Sequence, residues 1–438
     1  MYHPDLLATP VPRYTSYPTA AEFHDGPGSA DMTEALEAIA PGTPVSLYVH
    51  IPFCREICWY CGCTTGAANR AARLSSYVDA LLHEIALAGA ALGDRGRVQR
   101  ISFGGGSPNA LAPADFIRLC EALRHAFGDA ADGLSVEIDP RGFTREWAGV
   151  LGAMEARRVS LGVQTLAEPV QRAIGRVQPA QTIIDAVRWL RAAGVDSLNF
   201  DLMYGLPGQD LRDLAETLEV ACAMGPDRIA LFGYAHVPHL IPRQRRIDAA
   251  ALPDARLRFD QAALGRRMLG DRGYEAIGFD HFALPGDPIA RAARAVILRR
   301  NFQGFTDDAS ETVIGLGASA ISVFPDRILQ NEKNAGRYRM LLGADRLPVT
   351  RGLFRTIEDR QHGAAIESLL CQGVVETRDL PDRAAIVARL CPFVVRGLAA
   401  WDGTILRLAA DAAPYARAMA AAFDAYRHPD ARRFSNAI

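Results

Sequence analysis

Tyr48-Val-His-Ile-Pro-Phe-Cys54-Arg-Glu-Ile-Cys58-Trp-Tyr-Cys61-Gly-Cys63 is the stretch on which the reading of this chain turns. It begins inside an apolar, β-branched run, Val45–Ile51, that reads as a buried strand. It ends in a loop crowded with thiols. A strand that delivers chemistry at its C-terminal end, followed by a long helical pattern from Leu74 to about Ala91, is the opening unit of a parallel α/β fold.

The same unit recurs along the chain. Val98–Phe103 is followed by a helix over Pro113–Phe127, and Leu134–Ile138 by one from about Thr144 to Ala156. Arg158–Gly162 precedes helices between Pro169 and Ala193. Ser197–Leu202 precedes a helix near Asp210–Met224, and Arg228–Phe232 one over about Ala255–Leu269. Six strand–helix units in series imply a parallel sheet, closed partly into a barrel or left open and doubly wound. The strand ends favour the barrel, because each carries polar or glycine residues. Cys54 follows the first strand, Gly104–Ser107 the second, Glu137 ends the third, Gln164 follows the fourth, Asp201 ends the fifth and Ala235–His236 follow the sixth. A barrel collects all six ends on one rim. The glycine turn Gly104–Gly106 is expected to offer free backbone N–H groups to a ligand.

Three thiolates in CxxxCxxC spacing admit several readings. Structural zinc calls for a second ligand pair elsewhere in the sequence, and no second CxxC or HxxxH is present. A redox CxxC does not account for the additional cysteine four residues upstream. Cys54, Cys58 and Cys61 together suit a [4Fe–4S] cubane with one iron left open to a substrate or cofactor. Cys63 is expected not to be a ligand, since a one-residue gap from Cys61 makes joint ligation awkward. As a fourth ligand it would close the cluster and leave an electron carrier. Cys120, Cys222, Cys371 and Cys391 read as small buried hydrophobes.

Composition sets the outer limits. The 438 residues are 49% hydrophobic and 22% charged, with a net charge of −2, so no polyanionic partner such as nucleic acid is indicated. No apolar run is long enough to span a bilayer, and the N-terminus lacks the features of a signal peptide, so a cytoplasmic protein is expected. Residues 1–30, rich in Pro and Thr, read as an extended arm, 31–346 as the partial (β/α)6 barrel, and 347–438 as a small, mainly helical domain.

Further motifs carry a resemblance. They are Arg13-Tyr-Thr-Ser-Tyr-Pro-Thr19, Gly104-Gly-Gly-Ser-Pro108, Glu137-Ile-Asp-Pro-Arg141, Gly162-Val-Gln164 and Asp201-Leu-Met-Tyr-Gly-Leu-Pro207, then Tyr234-Ala-His236, Asp280-His-Phe282, Arg300-Asn-Phe-Gln-Gly304 and Gly317-Ala-Ser-Ala-Ile321. With the cysteine loop, they resemble the radical S-adenosylmethionine superfamily, and within it the oxygen-independent coproporphyrinogen III oxidase family. The resemblance implies a radical-SAM partial barrel that binds a [4Fe–4S] cluster and two S-adenosylmethionine molecules. It implies decarboxylation of two propionates of coproporphyrinogen III to vinyls, giving protoporphyrinogen IX, in haem or chlorophyll synthesis. By motif, Tyr48, Gly105 and Glu137 should touch the first S-adenosylmethionine. Tyr60, Gly106, Ser107, Gln164, Arg176, Asp201, Ala235 and Ile321 should touch the second. Tyr60 and Ser107 stand where the family often has phenylalanine and threonine. No acid–base residue is nominated.

The substrate's carboxylates call for cations, and Arg243, Arg245, Arg246, Arg299 and Arg300 are the candidates. The arm, with Arg13, Tyr14 and Tyr17, is a candidate lid. A low-potential electron donor such as flavodoxin and a monomeric state are expected. The C-terminal domain fits the family pattern least, as at Gln372-Gly-Val-Val-Glu376, while the tail 433–438 is similar to the family's ending except for Asn436, at a position often basic. A haem-binding chaperone and a haem-utilisation methyltransferase-like enzyme are relatives on the same core. The chaperone type lacks counterparts of Cys63 and of the RYTSYPT arm, both present here. A closed-cluster, ferredoxin-like carrier is the remaining rival.

Overall fold

The computed structural model describes residues 1–68 and 70–427, so the tail 433–438 lies outside the described residues. Six strands, β1 (Thr43–Ile51), β2 (Gly96–Gly105), β3 (Leu134–Ile138), β4 (Ala156–Gln164), β5 (Ser197–Tyr204) and β6 (Arg228–Gly233), pair side by side in chain order and in parallel. Their helices are α1 (Ala71–Leu92), α2 (Pro113–Phe127), α3 (Arg145–Ala153), α4 (Ala180–Ala192), α5 (Leu211–Ala223) and α6 (Ala255–Asp271). The repeating pattern of the sequence is thus the fold, a partial barrel with helices outside.

The packing follows from the strands being buried on both faces, as parallel sheets require. Val45, Leu47, Val49 and Ile51 of β1 share one core with Val78, Leu81 and Ile85 of α1. Phe103 of β2 packs on Phe116 of α2 at 4.8 Å between ring centroids, and Phe116 on Trp147 of α3 at 5.2 Å. In α4 the buried Ile183, Ala186 and Leu190 fall on one stripe. Asp210 caps α5 by accepting from the Asp213 N–H at 2.8 Å.

Several elements depart from the sequence expectation. β5 runs on to Tyr204, so Asp201 lies within the strand rather than at its end. The helices expected between Pro169 and Ala193 are present as two, Glu168–Ala173 and α4, separated near Gly175, whose φ is +64°. A seventh parallel strand, β7 (Thr312–Leu316), pairs with the free side of β1 from Val45↔Thr312 to Val49↔Leu316. Beyond it Ile321–Val323, Arg327–Asn331 and Val349–Phe354 continue antiparallel. The other edge adds His281–Ala283 and Glu275–Ile277, giving a 12-stranded sheet whose ends do not meet. These added strands are short and lack the helix that flags each barrel unit.

Val349–Phe354 still belongs to the main sheet, so the boundary expected at 347 falls ahead of that strand. After it come helices Ile357–Gln372 and Arg383–Val395. A three-stranded antiparallel sheet, unforeseen in the sequence, is formed by Val374–Glu376, Ile405–Leu408 and Ala399–Trp401. The single helix expected near Ala413–Tyr426 is instead a short α-helix, Ala416–Ala420, between two 3₁₀ turns. Cys391, read as buried, is exposed.

The N-terminal arm is not loose. Leu7, Val11, Tyr14 and Tyr17 are buried in a second core with Leu369, Phe393, Tyr415 and Phe423. Among the described residues no helix is long and apolar enough to cross a membrane.

Candidate active site

The loop carrying the cysteines is fastened from several sides. At its ends, Gly66 N–H donates to Pro52 O at 2.8 Å and Ala68 N–H to Cys54 O at 2.9 Å. Trp59 N–H donates to Ile174 O at 3.1 Å, and a Cβ on Gly175 would stand 2.6 Å from the Trp59 ring. Gln244 Nε2 donates to Tyr60 O at 2.8 Å and to Ala235 O at 3.0 Å, tying the loop to the segment after β6. Arg243 Nη1 donates to Thr65 Oγ1 at 2.8 Å, and Arg246 lies 5.2 Å over the Trp59 ring. Rigid placement of ligands on a loop needs such outside support.

Two guanidiniums converge on one of the thiols. Cys58 Sγ accepts from Arg176 Nη1 at 3.2 Å and from Arg141 Nη2 at 3.3 Å. Both guanidiniums are oriented by Asp139, at 3.1 Å from Arg176 and 2.7 Å from Arg141. Arg176 is further held by Gly162 O at 2.6 Å, and Arg141 by Glu56 at 2.9 Å. Burial, then the nearness of Cys61, pushes the Cys54 thiol up to about 12. Crowded thiols of this kind are deprotonated once a metal is bound. The Cys63 N–H donates to Cys61 Sγ at 3.4 Å, and the Cys63 thiol leads the groups that lower Cys61 to about 6. Among the described residues no three His, Cys, Asp or Glu side chains converge on a single ion. A cubane does not ask for that, since each thiolate meets a different iron. Three thiols on one loop, with two guanidiniums donating to one sulfur, therefore fit an anionic thiolate-held cluster.

The glycine turn works differently from the expectation. The Gly105 N–H donates to Glu137 Oε2 at 3.2 Å. Gly106 N–H goes to Ile51 O at 2.9 Å and Ser107 N–H to Phe53 O at 2.8 Å. These three groups are thus not free for a ligand; the first ties the exit of β2 to β3, and the other two tie it to the exit of β1. Glycine is required because the approach is close. A Cβ on Gly106 would sit 2.5 Å from Phe53 O, and one on Gly105, where φ is +100°, 2.2 Å from the His50 ring. Ser107 Oγ is bonded to Asn109 Oδ1 and accepts from Asp139 N–H at 3.1 Å, fixing the turn to the end of β3.

Two carboxyls face the interior from adjacent parts of the rim. Burial, then Asp201, pushes Glu137 up to about 7. Burial likewise raises Asp201, which accepts from Ser160 Oγ at 2.8 Å and from Asn199 Nδ2 at 2.8 Å. Gln164 has a φ of +66°, at a bulge where β4 loses register with β5 after Gly162. A non-glycine residue held in that region marks a place where the fold re-aims a side chain.

One cavity of about 180 Å³ gathers Cys54, Cys58, Cys61, Tyr60, Gly105, Gly106, Ser107, Glu137, Gln164, Arg176 and Asp201. Tyr48, Ala235 and Ile321 are not in its lining. The Tyr48 hydroxyl is 3.3 Å from His50 Nδ1, and after burial the largest influence raising it is Glu137. Ala235 contributes the carbonyl that Gln244 engages, and Ile321 pairs with Gln330 on the extended sheet. Asp139, Arg141 and Ser160 were not singled out in the sequence; the first two lie inside the Glu137–Arg141 motif and were legible there.

The arginines offered for substrate carboxylates are mostly engaged within the protein. Arg243 and Arg246 brace the cysteine loop. Arg299 pairs with Glu367 at 2.8 Å. Arg300 donates to Tyr14 O at 3.3 Å and Arg13 O at 3.1 Å, holding the arm. Proximity to the motifs did not distinguish bracing from binding.

Residues 48–221 match the model of the radical SAM superfamily. A curated oxygen-independent coproporphyrinogen III oxidase of Bradyrhizobium diazoefficiens is 40% identical over 98% of this chain and 97% of that protein. Its Pseudomonas aeruginosa namesake is 36% identical over 98% and 96%. This chain belongs to the oxygen-independent coproporphyrinogen III oxidase family. The solved coproporphyrinogen III oxidase of Escherichia coli, described as a radical SAM enzyme, superposes with a TM-score of 0.90 at 34% identity, covering 95% of this chain and 98% of that one. Membership in this family carries the [4Fe–4S] cluster and S-adenosylmethionine as cofactors.

Proposed function

We propose that this chain converts two propionates of coproporphyrinogen III to vinyls without oxygen, giving protoporphyrinogen IX, with Cys54, Cys58 and Cys61 as the cluster ligands. The observation that carries the reading is the cavity in which those thiols meet Glu137, Gln164, Arg176 and Asp201 on a rim matched over nearly the whole chain by oxidases of that name. Cys54, Cys58 and Cys61 would hold the cluster, which with S-adenosylmethionine would supply the one-electron chemistry needed to activate a propionate C–H bond.

The chain's own residues hold and orient. Arg176 and Arg141 stabilise negative charge on the Cys58 sulfur and so tune the cluster. Glu137, kept at the rim by Gly105, accepts from a hydroxyl or amine of the first S-adenosylmethionine, beside Tyr48. Tyr60, Gly106, Ser107, Gln164, Arg176, Asp201, Ala235 and Ile321 are the groups for a second molecule, and the first six of them line the cysteine cavity. The bracing of the loop by Trp59 and Gln244 keeps these positions fixed through turnover. A low-potential carrier such as flavodoxin supplies electrons, and the enzyme works as a cytoplasmic monomer.

Anaerobic turnover of reconstituted protein with coproporphyrinogen III, S-adenosylmethionine and a low-potential reductant tests this. Protoporphyrin with one 5′-deoxyadenosine for each propionate lost is expected. Stoichiometric haem binding with neither product, from protein with an intact cluster, would replace the oxidase reading with the haem chaperone.

A further inference from the structure

A second cavity opens beside the rim, where β5 and β6 end. Tyr204, Phe232 and Gly233 form its floor, and α6, the Phe279–Phe282 segment, the arm and the turn at Ala413–Pro414 close it. Three guanidiniums line it, from Arg13, Arg266 and Arg417, against a single lining carboxylate, Asp280. That carboxylate is already bonded to His281 Nδ1 at 2.7 Å. Arg13 and Arg266 each rest on a carbonyl and a ring face. Arg13 Nη2 donates to Gly233 O at 3.0 Å and its guanidinium lies 5.9 Å from the Phe232 centroid. Arg266 donates to Gly278 O at 3.3 Å and lies 5.8 Å from Phe282, and Arg417 lies 5.8 Å from Phe279. Burial, then the nearness of Arg13, lowers Arg417 to about 10, the mark of crowded positive charge.

The position of the cavity matters as much as its charge. Asp280 lines it, and its partner His281 stands opposite Ala230 of β6, which in turn stands opposite Asp201 of β5 in the lining of the cysteine cavity. One side-chain pair therefore stands between the two spaces. A group anchored in the arginine cavity sits next to the reaction site without entering it.

We propose that this cavity is a carboxylate subsite in which Arg13, Arg266 and Arg417 hold a propionate of the tetrapyrrole that is not undergoing reaction. The inference rests on the proposed substrate. Guanidinium is the group suited to a carboxylate, and a partly closed, low-dielectric cavity strengthens the pairing. Because Arg13 belongs to the N-terminal arm, the arm serves here as a wall of the substrate site.

Equilibrium binding of coproporphyrin III and of its tetramethyl ester to the reconstituted full chain tests the proposal directly. Wild type should bind the tetra-acid more tightly than the ester. Arg266→Gln should weaken the acid about ten- to hundredfold and leave the ester unchanged, with Arg266→Lys intermediate. Ala262→Leu on α6 fills the cavity without touching a charge, and should cause a comparable loss. Acid and ester binding alike in wild type, or tetra-acid affinity unchanged in both Arg266→Gln and Ala262→Leu, would overturn it. Wild-type turnover is scored separately: normal binding without decarboxylation defeats the function and not the subsite.

Discussion

The cysteine cavity and the arginine cavity adjoin one another, yet they are built in opposite ways. The first takes its lining from successive strand ends of one repeated unit, with its thiols inside eight consecutive residues. The second takes its cations from residues 13, 266 and 417, which meet only because the arm, α6 and the C-terminal turn fold onto the same corner. A local motif positions groups through loop and strand geometry, whereas a long-range assembly positions them through tertiary packing. Substitutions in the first should therefore remove chemistry, and those around the second should change affinity and stability.

The largest effect separates the two at once. Cys58→Ala should abolish both the cluster absorbance and all 5′-deoxyadenosine formation, and Cys54→Ala and Cys61→Ala should do the same. Cys63→Ala should retain the cluster. Loss of the cluster in Cys63→Ala, measured by iron and sulfide content, would make Cys63 a ligand.

Next in size is Arg176→Gln, which tests whether the local site also has a structural part. Arg176 is 5% exposed and bridges Asp139, Cys58 and Gly162 O. Its removal leaves Asp139 with Arg141 alone, so a destabilisation of about 3 kcal/mol in denaturant unfolding is expected, the low end for breaking a buried pair. A change below about 0.5 kcal/mol would show that Arg141 suffices.

These contrasts explain what could be read in advance. The six parallel strands were legible because each apolar run is followed by an amphipathic helix. Glu137, Gln164 and Asp201 were legible because they close or follow those runs. β7 was not, since its five residues are buried throughout and no helix of the repeated kind announces them. The glycine turn was legible as a close approach, but not in its partners: nothing in Gly104–Gly106 says that Ile51 and Phe53 carbonyls take the N–H groups. Likewise Arg243 and Arg300 carry the right chemistry for a carboxylate, and only the fold shows that Thr65 and the arm's carbonyls occupy them. The arginine cavity left no contiguous sequence signal at all.

A further test concerns Glu84, another long-range assembly, which braces β7's exit. Its carboxyl accepts from Asn331 Nδ2 at 2.6 Å, from Gly317 N–H at 2.6 Å and from Tyr338 Oη at 2.5 Å. Burial nevertheless raises it to about 7 from 4.5. The folded state keeps this proton longer than the unfolded one, so its stabilising contribution is complete below about pH 4.5 and is lost as pH rises through about 7. The loss is on the order of 3 kcal/mol. Glu84→Gln should flatten that part of the stability profile, while lowering stability at acid pH through imperfect hydrogen bonding. An unchanged slope between pH 5 and 8, in unfolding measured across roughly that range, would mean the three donors outweigh burial and Glu84 is ionised throughout.

The smallest effect tests the long-range side most specifically. Tyr14 anchors the arm: its hydroxyl donates to Asp424 Oδ2 at 3.0 Å in a buried setting, and its carbonyl accepts from Arg300. Asp424 keeps the Tyr426 N–H at 2.9 Å if that hydroxyl is removed. Tyr14→Phe should therefore cost about 1.5 kcal/mol, the low end for a hydrogen bond to a charged group. The arm's apolar contacts through Leu7, Val11 and Tyr17 remain, so it should stay docked. Because Arg13 is the adjacent residue, a slightly looser arm should raise KM for coproporphyrinogen III a few-fold and leave kcat and cluster content unchanged. An equal fall in kcat with no change in KM would place the arm's influence on the radical site itself, and would erase the division of labour between the two cavities.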